Sequence, residues 1–345
     1  NNQKVVTRNY TRTNHSSKHG DSIYTVTTVD RSSSATTDHK GASLKSDGIN
    51  ISSGKSITAT AANIDSVKKL TLSAGENVNL LAVQNTSRSY NGAGQTSATT
   101  QQGTSLQSKT DIEITALRDV NVQSSNINAE QDINIAAANN ILVTSEQETS
   151  NSKRNYRNTY NNNMTQSGSE IIAGGNTSLF AQQNIGIEGS LIDSKDKTSL
   201  RADKNVVLSS AEEFRTSGYS YKKRSGFMGH RKKSIKHSEE YLTHQAATLS
   251  GDNGVKIVSG ANTQIVASDV ISAKGNINIA TGGELQQLAQ LDKTRIQHSK
   301  KKSSAWGLVK KDHSLDKVNH SANGSISEAM GNVALRSGGS TRLQA

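Results

Sequence analysis

The densest chemistry in this 345-residue chain is cationic. Lys222, Lys223, Arg224, Arg231, Lys232 and Lys233 crowd one short stretch, interleaved with Tyr219, Tyr221 and Phe227 and flanked by Arg215 and Lys236. A second group, Lys300, Lys301, Lys302, Lys310 and Lys311, brackets Trp306. Lys and Arg total 40 against 29 Asp and Glu, and much of the resulting net charge of +11 sits in these two segments. Basic residues with aromatic neighbours suit an anionic surface, such as lipopolysaccharide or phospholipid headgroups. No recognisable DNA- or RNA-binding module accompanies them, so nucleic acid is set aside as a partner. The plainer alternative is that Lys and Arg keep exposed strand edges from pairing with other chains.

Other residue types give no active site. Gly48–Ser56, GINISSGKS, has five residues between its glycines where a phosphate-binding loop needs four, and no helix pattern follows. The nine histidines (His15, His19, His39, His230, His237, His244, His298, His313, His320) show no metal-site spacing. Asp111 and Asp119 recur at turn positions, where turn chemistry accounts for them. The chain has no Cys, hence no thiol nucleophile and no disulfide. No apolar run approaches the ~18 residues of a membrane helix. No catalytic residue, cofactor or metal site is assigned.

What positions the cationic segments is a repeat. Asp111–Ser145 lies over Asn176–Ser210 without a gap, and nearly all apolar residues fall in register. Ile112/Ile114, Val120/Val122, Ile133/Ile135 and Ile141/Val143 sit at i and i+2, which is strand periodicity, and the lone Ile127 marks a third strand. Steps of 8 and 13 alternate, so the unit is 21 residues, the signature of a stacked repeat. Ile49, Ile51, Ile57, Ile64, Leu70, Leu72, Val78 and Leu80 share these phases. Val255, Ile257, Ile265, Ile271, Ile277 and Ile279 share them with one extra residue. Another copy begins at Val333 and Leu335, and with a start at Asn1 the chain reads as a piece of a longer polypeptide.

Three short strands per unit predict an all-β fold, a right-handed parallel β-helix with coils of about 21 residues. Residues 1–345 read as one elongated domain of about 10–14 coils, some 50–65 Å long at roughly 4.8 Å per coil. Asn77, Asn140, Asn184, Asn205 and Asn262, with Asp119 and Ser56, precede one strand of each coil. They predict a corner ladder of residues that tolerate left-handed backbone and bond their own main chain. The absence of Pro fits inner coils that need every ladder N–H. A hydrophobic content of only 32% is enough for so thin a core column.

Four insertions, near 81–105, 144–170, 209–248 and 288–325, each leave the same corner after two regular coils. They carry nearly all the aromatic residues, whereas Phe180 sits in a coil. Alternating patterns at Val5–Tyr10 and Ile23–Val29, around HSSKHGD, predict β-hairpins. Protruding hairpins along one edge of the rod are therefore expected, and an excess of only 21 residues could equally be one polar coil.

Repeats such as DINIAAANNILVTS and GGNTSLFAQQNIGIEGS, broken by insertions such as SGFMGHRKKS and SSAWGLVKK, resemble filamentous-haemagglutinin-type exoproteins of Gram-negative two-partner secretion. The insertion-bearing spacing is most similar to the second haemagglutinin-repeat region of contact-dependent growth-inhibition effectors. The resemblance implies a secreted, cell-surface protein with an outer-membrane secretion partner. It also implies a segment that helps carry a C-terminal toxin across the outer membrane of a target cell, toward its periplasm. Lipopolysaccharide or an outer-membrane protein of that cell would be the partner. The alternatives are a non-enzymatic adhesin stalk and a polysaccharide lyase or hydrolase. The lyase reading needs several carboxylates or bases on one sheet face, where the coil phases offer mostly Ser, Thr, Asn and Ala.

Overall fold

A computed structural model describes residues 2–15, 25–226, 231–304 and 308–344, with side chains described from residue 32 onward. Strands recur three to a coil. In one regular coil they are Asn126–Ala129, Ile133–Ala137 and Ile141–Thr144. Each strand pairs in parallel with its equivalent one coil away, Leu106 with Ile127, Ile112 with Ile133 and Val120 with Ile141. Among the described residues this stacking builds three parallel sheets of nine strands each. Every second side chain points inward, so the core is a column of β-branched and Leu residues. Leu70, Ile112, Ile133, Val120 and Ile141 are fully buried. Nine coils rise about 40 Å, shorter than the 10–14 coils expected, because each insertion is a hairpin and none is a degenerate coil.

The hairpins do not project singly. Their strands are β1 (Asn2–His15), β2 (Thr25–Asp38), β3 (Val83–Asn91), β4 (Gly94–Gln102) and β5 (Glu146–Arg154). β6 (Thr159–Ser167), β7 (Ala211–Ser225), β8 (Arg231–Gln245), β9 (Gln290–Ser304) and β10 (Val309–Asn323) complete the set. All ten pair in chain order into one antiparallel sheet, a fin that runs alongside the rod. Its axial spacing explains the rhythm of the insertions. Two parallel coils and one two-stranded hairpin each occupy about 9.6 Å, since neighbouring strands lie ~4.8 Å apart in both. A hairpin after every second coil therefore keeps rod and fin in step. The HSSKHGD turn beyond His15, with Ile23 and Tyr24, lies outside the described residues.

The corners differ from expectation in two ways. The amide ladder exists, but each side chain bonds the next coil and not its own backbone. The Asn77 carbonyl oxygen accepts from Asp119 N–H at 3.2 Å, Asp119 from Asn140 N–H at 3.1 Å, and Asn184 from Asn205 N–H at 3.3 Å. None of the ladder residues has positive φ; that conformation belongs to Ala61, Ser124, Gly189 and Ala267 at another corner. There the chain turns directly from the third sheet into the next coil. In the alternate coils the same corner is occupied by a hairpin.

Two phase assignments shift. Val270 pairs with Leu249 and is fully buried, while Ile271 faces outward. The extra residue in that coil lies between Ser272 and Asn276, after this strand. Likewise Ile326 pairs with Asp269 on the outer face and is half exposed, and Ser327 takes the register of Val270. Thr177 and Thr198 occupy core positions held by Ile in other coils, and a buried hydroxyl chain satisfies them. Ser194 Oγ lies 2.7 Å from Thr177 Oγ1 and 2.8 Å from Thr198 Oγ1, and the Thr198 hydroxyl also reaches the Ser250 carbonyl. Phe180 faces outward from its coil, under the Arg201 guanidinium at 5.4 Å.

Candidate functional site

The β7–β8 and β9–β10 hairpins carry the cationic segments to the outer end of the fin. Directly opposed residues in an antiparallel sheet share a face, so register decides which charges meet. Lys223 pairs with Lys233, Lys233 with Lys302, and Lys302 with Lys311. Four lysines thus stand in one file across β7, β8, β9 and β10, each ~5 Å from the next at Cβ. The opposite face carries Arg224 paired with Lys232, and Lys222 in line with Ser234, Lys301 and Asp312. Asp312 is the one acid here, 3.6 Å from Lys301 in a solvent-exposed pair. Arg231 pairs with Ser225, and Lys310 with Ser303. Phe227 and Trp306 lie outside the described residues.

Like charges directly opposite each other destabilise a sheet. Edge protection explains only part of them. The outer half of β7, beyond Gly218, has no strand partner on the β6 side, and β10 is the last strand of the sheet, so Lys222, Lys223, Arg224, Lys310 and Lys311 sit on edges. Lys232 and Lys233 on β8 and Lys300, Lys301 and Lys302 on β9 lie on strands paired on both sides. No free edge is there to guard.

One step toward the rod, the same face becomes apolar and aromatic. Ile235, opposite Tyr221 and Lys300, is 8% exposed although it sits on a single-layer sheet. Tyr221 is held between two cations, with Arg157 Cζ 5.4 Å and Lys233 Nζ 5.7 Å from its ring centre. Tyr219 packs against His237 at 5.4 Å, and His237 against His298 at 5.7 Å. His237 Nε2 lies 3.0 Å from Glu239 Oε1, and the Tyr241 hydroxyl donates to Glu239 Oε2 at 3.2 Å. The His237 hydrogen bond above all holds the Glu239 carboxyl below its ordinary range, and burial raises the Tyr241 phenol. Arg157, Ile235, His237 and His298 were not singled out from the sequence, because only cross-strand register brings them together. Among the described residues, no group of three or more His, Cys, Asp or Glu side chains is arranged to hold a metal ion.

Comparison with known proteins points the same way as the repeat. A family model described as "Hemagglutinin repeat" matches residues 10–96, 91–162 and 152–308. The chain is 28% identical over 248 residues to a protein named tRNA nuclease CdiA from Escherichia coli strain STEC_O31. That match covers 70% of this chain and 8% of the relative. No solved structure matches the chain.

Proposed function

The chain belongs to the hemagglutinin-repeat family, and from that membership we propose that it is a non-enzymatic delivery segment of a large secreted exoprotein. On this reading it helps carry a C-terminal toxin across the outer membrane of a target cell. The cationic outer end of the fin would meet the anionic lipopolysaccharide of that membrane. The observation behind this is the file Lys223, Lys233, Lys302 and Lys311, which costs the sheet stability and is only half explained by edge protection. A polyanion offsets that repulsion. The similarity to CdiA adds weight, although the chain spans only 8% of that relative and its nuclease activity is stated of that protein alone. The non-enzymatic reading has its own support. The outward row of the second rod sheet carries Asn50, Thr71, Glu113, Asn134, Ser178, Ser199, Lys256 and Asn278, a single carboxylate and a single base four strands apart among neutral side chains.

The alternative is the stalk of a filamentous adhesin, favoured by the rod itself, which needs no membrane contact to act as a spacer. Addition of the purified protein to dye-loaded outer-membrane vesicles separates the two. Delivery predicts insertion or dye release. Intact vesicles with no bound protein would leave the stalk.

A further inference from the structure

The face of the fin opposite the four-lysine file carries a furrow that the cationic residues do not account for. Its first half, about 780 Å³, lies over β2 to β6 and its second, about 590 Å³, over β6 to β10; Tyr160 lines both. The furrow therefore crosses the strands and runs parallel to the rod. Tyr90 and Tyr160 belong to one cross-strand row, joined through Gln95 and Lys153. Three strand steps separate the two rings, about 14 Å. The neighbouring row supplies Arg88, Ser97, Asn151 and Asn162. Beyond Tyr160 the sheet drops to Gly218. A Cβ there would stand 2.7 Å from the Tyr160 hydroxyl, so the absence of a side chain gives the tyrosine its place. Past it, Ser220, Ser238, Ser299 and Ser314 line the continuing groove.

We propose that this furrow binds a linear polysaccharide, with Tyr90 and Tyr160 as stacking platforms. A sugar ring offers a C–H face to an aromatic ring and hydroxyls around its rim. Tyrosine presents an apolar face with a polar end, and Ser, Asn and Gln side chains both donate and accept. Ala35 and the two tyrosines are the only apolar or aromatic side chains of the first half. That leaves little for a peptide's side chains. A peptide's main chain finds no partner either, since β3 to β6 are paired on both sides over the furrow and strand addition needs a free edge. A nucleic acid would need more cations than the lining supplies, Arg88 and Lys153 in the first half and Lys236 in the second. Lys222, Arg224, Lys232 and Lys301 share this face but lie further out, beyond the lining. The proposal does not rest on the delivery reading, because none of the four file lysines lines the furrow.

The test is calorimetric titration with cellohexaose, hexagalacturonate and a delipidated bacterial O-polysaccharide. At least one should bind, with little change as ionic strength rises from about 0.05 to about 0.5 M. Tyr90→Ala with Tyr160→Ala should weaken it at least about tenfold, the discrimination of a lost stacking contact, while Tyr90→Phe with Tyr160→Phe keeps it. Unchanged thermal unfolding of the alanine variant separates loss of the site from loss of the fold. If that variant does not fold, blockade of furrow amides by the bound sugar in NMR decides. No binding by any of the three sugars at millimolar concentration overturns the proposal. So does binding that the alanine pair leaves intact, or binding that salt abolishes. Capture of a single-stranded oligonucleotide with the same tyrosine dependence also overturns it.

Discussion

A Cβ on Gly103 would stand 1.8 Å from the carbonyl oxygen of Ser124. Gly103 is where the chain returns from the β3–β4 hairpin, and Ser124, at φ 43°, is the left-handed corner of the next coil. Gly168 repeats the relation, its Cβ position 2.4 Å from the Gly189 carbonyl oxygen. At these two returns a hairpin corner and a tight corner nest, the missing side chain of one receiving the carbonyl of the other, whereas Ala246 stands at the corresponding return from β7–β8.

Gly103→Ala should consequently destabilise the protein by about 1–3 kcal/mol through overpacking against backbone. Gly324→Ala, at the corresponding return from β9–β10, has open space around its Cβ and should be close to neutral. Thermal melts of the two variants check this, and equal melting temperatures would contradict the nested corners.

The core register gives a second expectation. Ile135 is 1% exposed and Gln131 is exposed. Ile135→Asp should cost about 3–5 kcal/mol, as an unpaired charge with no partner in the column, and Gln131→Asp almost nothing. In the same denaturation series Val270→Ser should be costly and Ile271→Ser mild. A reversal of that last pair would restore the phase read from the sequence alone.

Changing Lys222, Lys223, Arg224, Arg231, Lys232 and Lys233 to Gln should weaken binding to lipopolysaccharide or anionic vesicles. Binding by the parent should fall steeply with salt, since exposed charges are screened beyond about 8 Å at physiological ionic strength. Removing opposed like charges should also leave the fin as stable or slightly more stable, by about 0.2–1 kcal/mol per pair. Cosedimentation with vesicles and a thermal melt read both effects. A variant that binds as well as the parent would reduce the cations to a solvated surface.

Asp316 supplies a pH dependence. Arg295 Nε and a terminal guanidinium nitrogen donate to its two oxygens at 3.1 and 2.8 Å, and Gln297 adds a third bond at 3.1 Å. The Arg295 hydrogen bond chiefly lowers its carboxyl from 3.8 to about 2. A depressed carboxylate stabilises the folded state above its unfolded pKa and loses that contribution as pH falls through the folded value. Protection of β9–β10 amides from exchange should therefore weaken between about pH 4 and pH 2. In Asp316→Asn that component should be absent. The same pH response in both proteins would remove Asp316 as its cause.

The rod was legible because its constraint is chemical. Ile112, Ile133 and Val120 must point inward, and a period of two within a period of 21 writes that need into the sequence. It failed where two apolar residues are adjacent, as at Val270 and Ile271, since either satisfies the pattern. The fin was not legible as one sheet. Ser34 beside Ser89, and Ala98 beside Ser150, pair through main chain alone and leave no apolar period to read. The cations were visible by type, but the lysine file exists only once four strands take their register. The furrow left still less trace, because Tyr90 and Tyr160 are 70 residues apart and meet only through β4 and β5.

The match between two coils and one hairpin also restricts how such a chain can grow by recombination. Duplicating a cassette of two coils with their hairpin lengthens rod and fin equally and preserves every pairing. Duplicating one coil alone would slip the two by half a cassette and leave a hairpin edge without its neighbour. Hairpin length carries no such restriction, since strands of 9 residues in β3 and 15 in β7 leave the same corner. Selection can therefore change how far the fin reaches one residue pair at a time, while the rod's length changes only in whole cassettes.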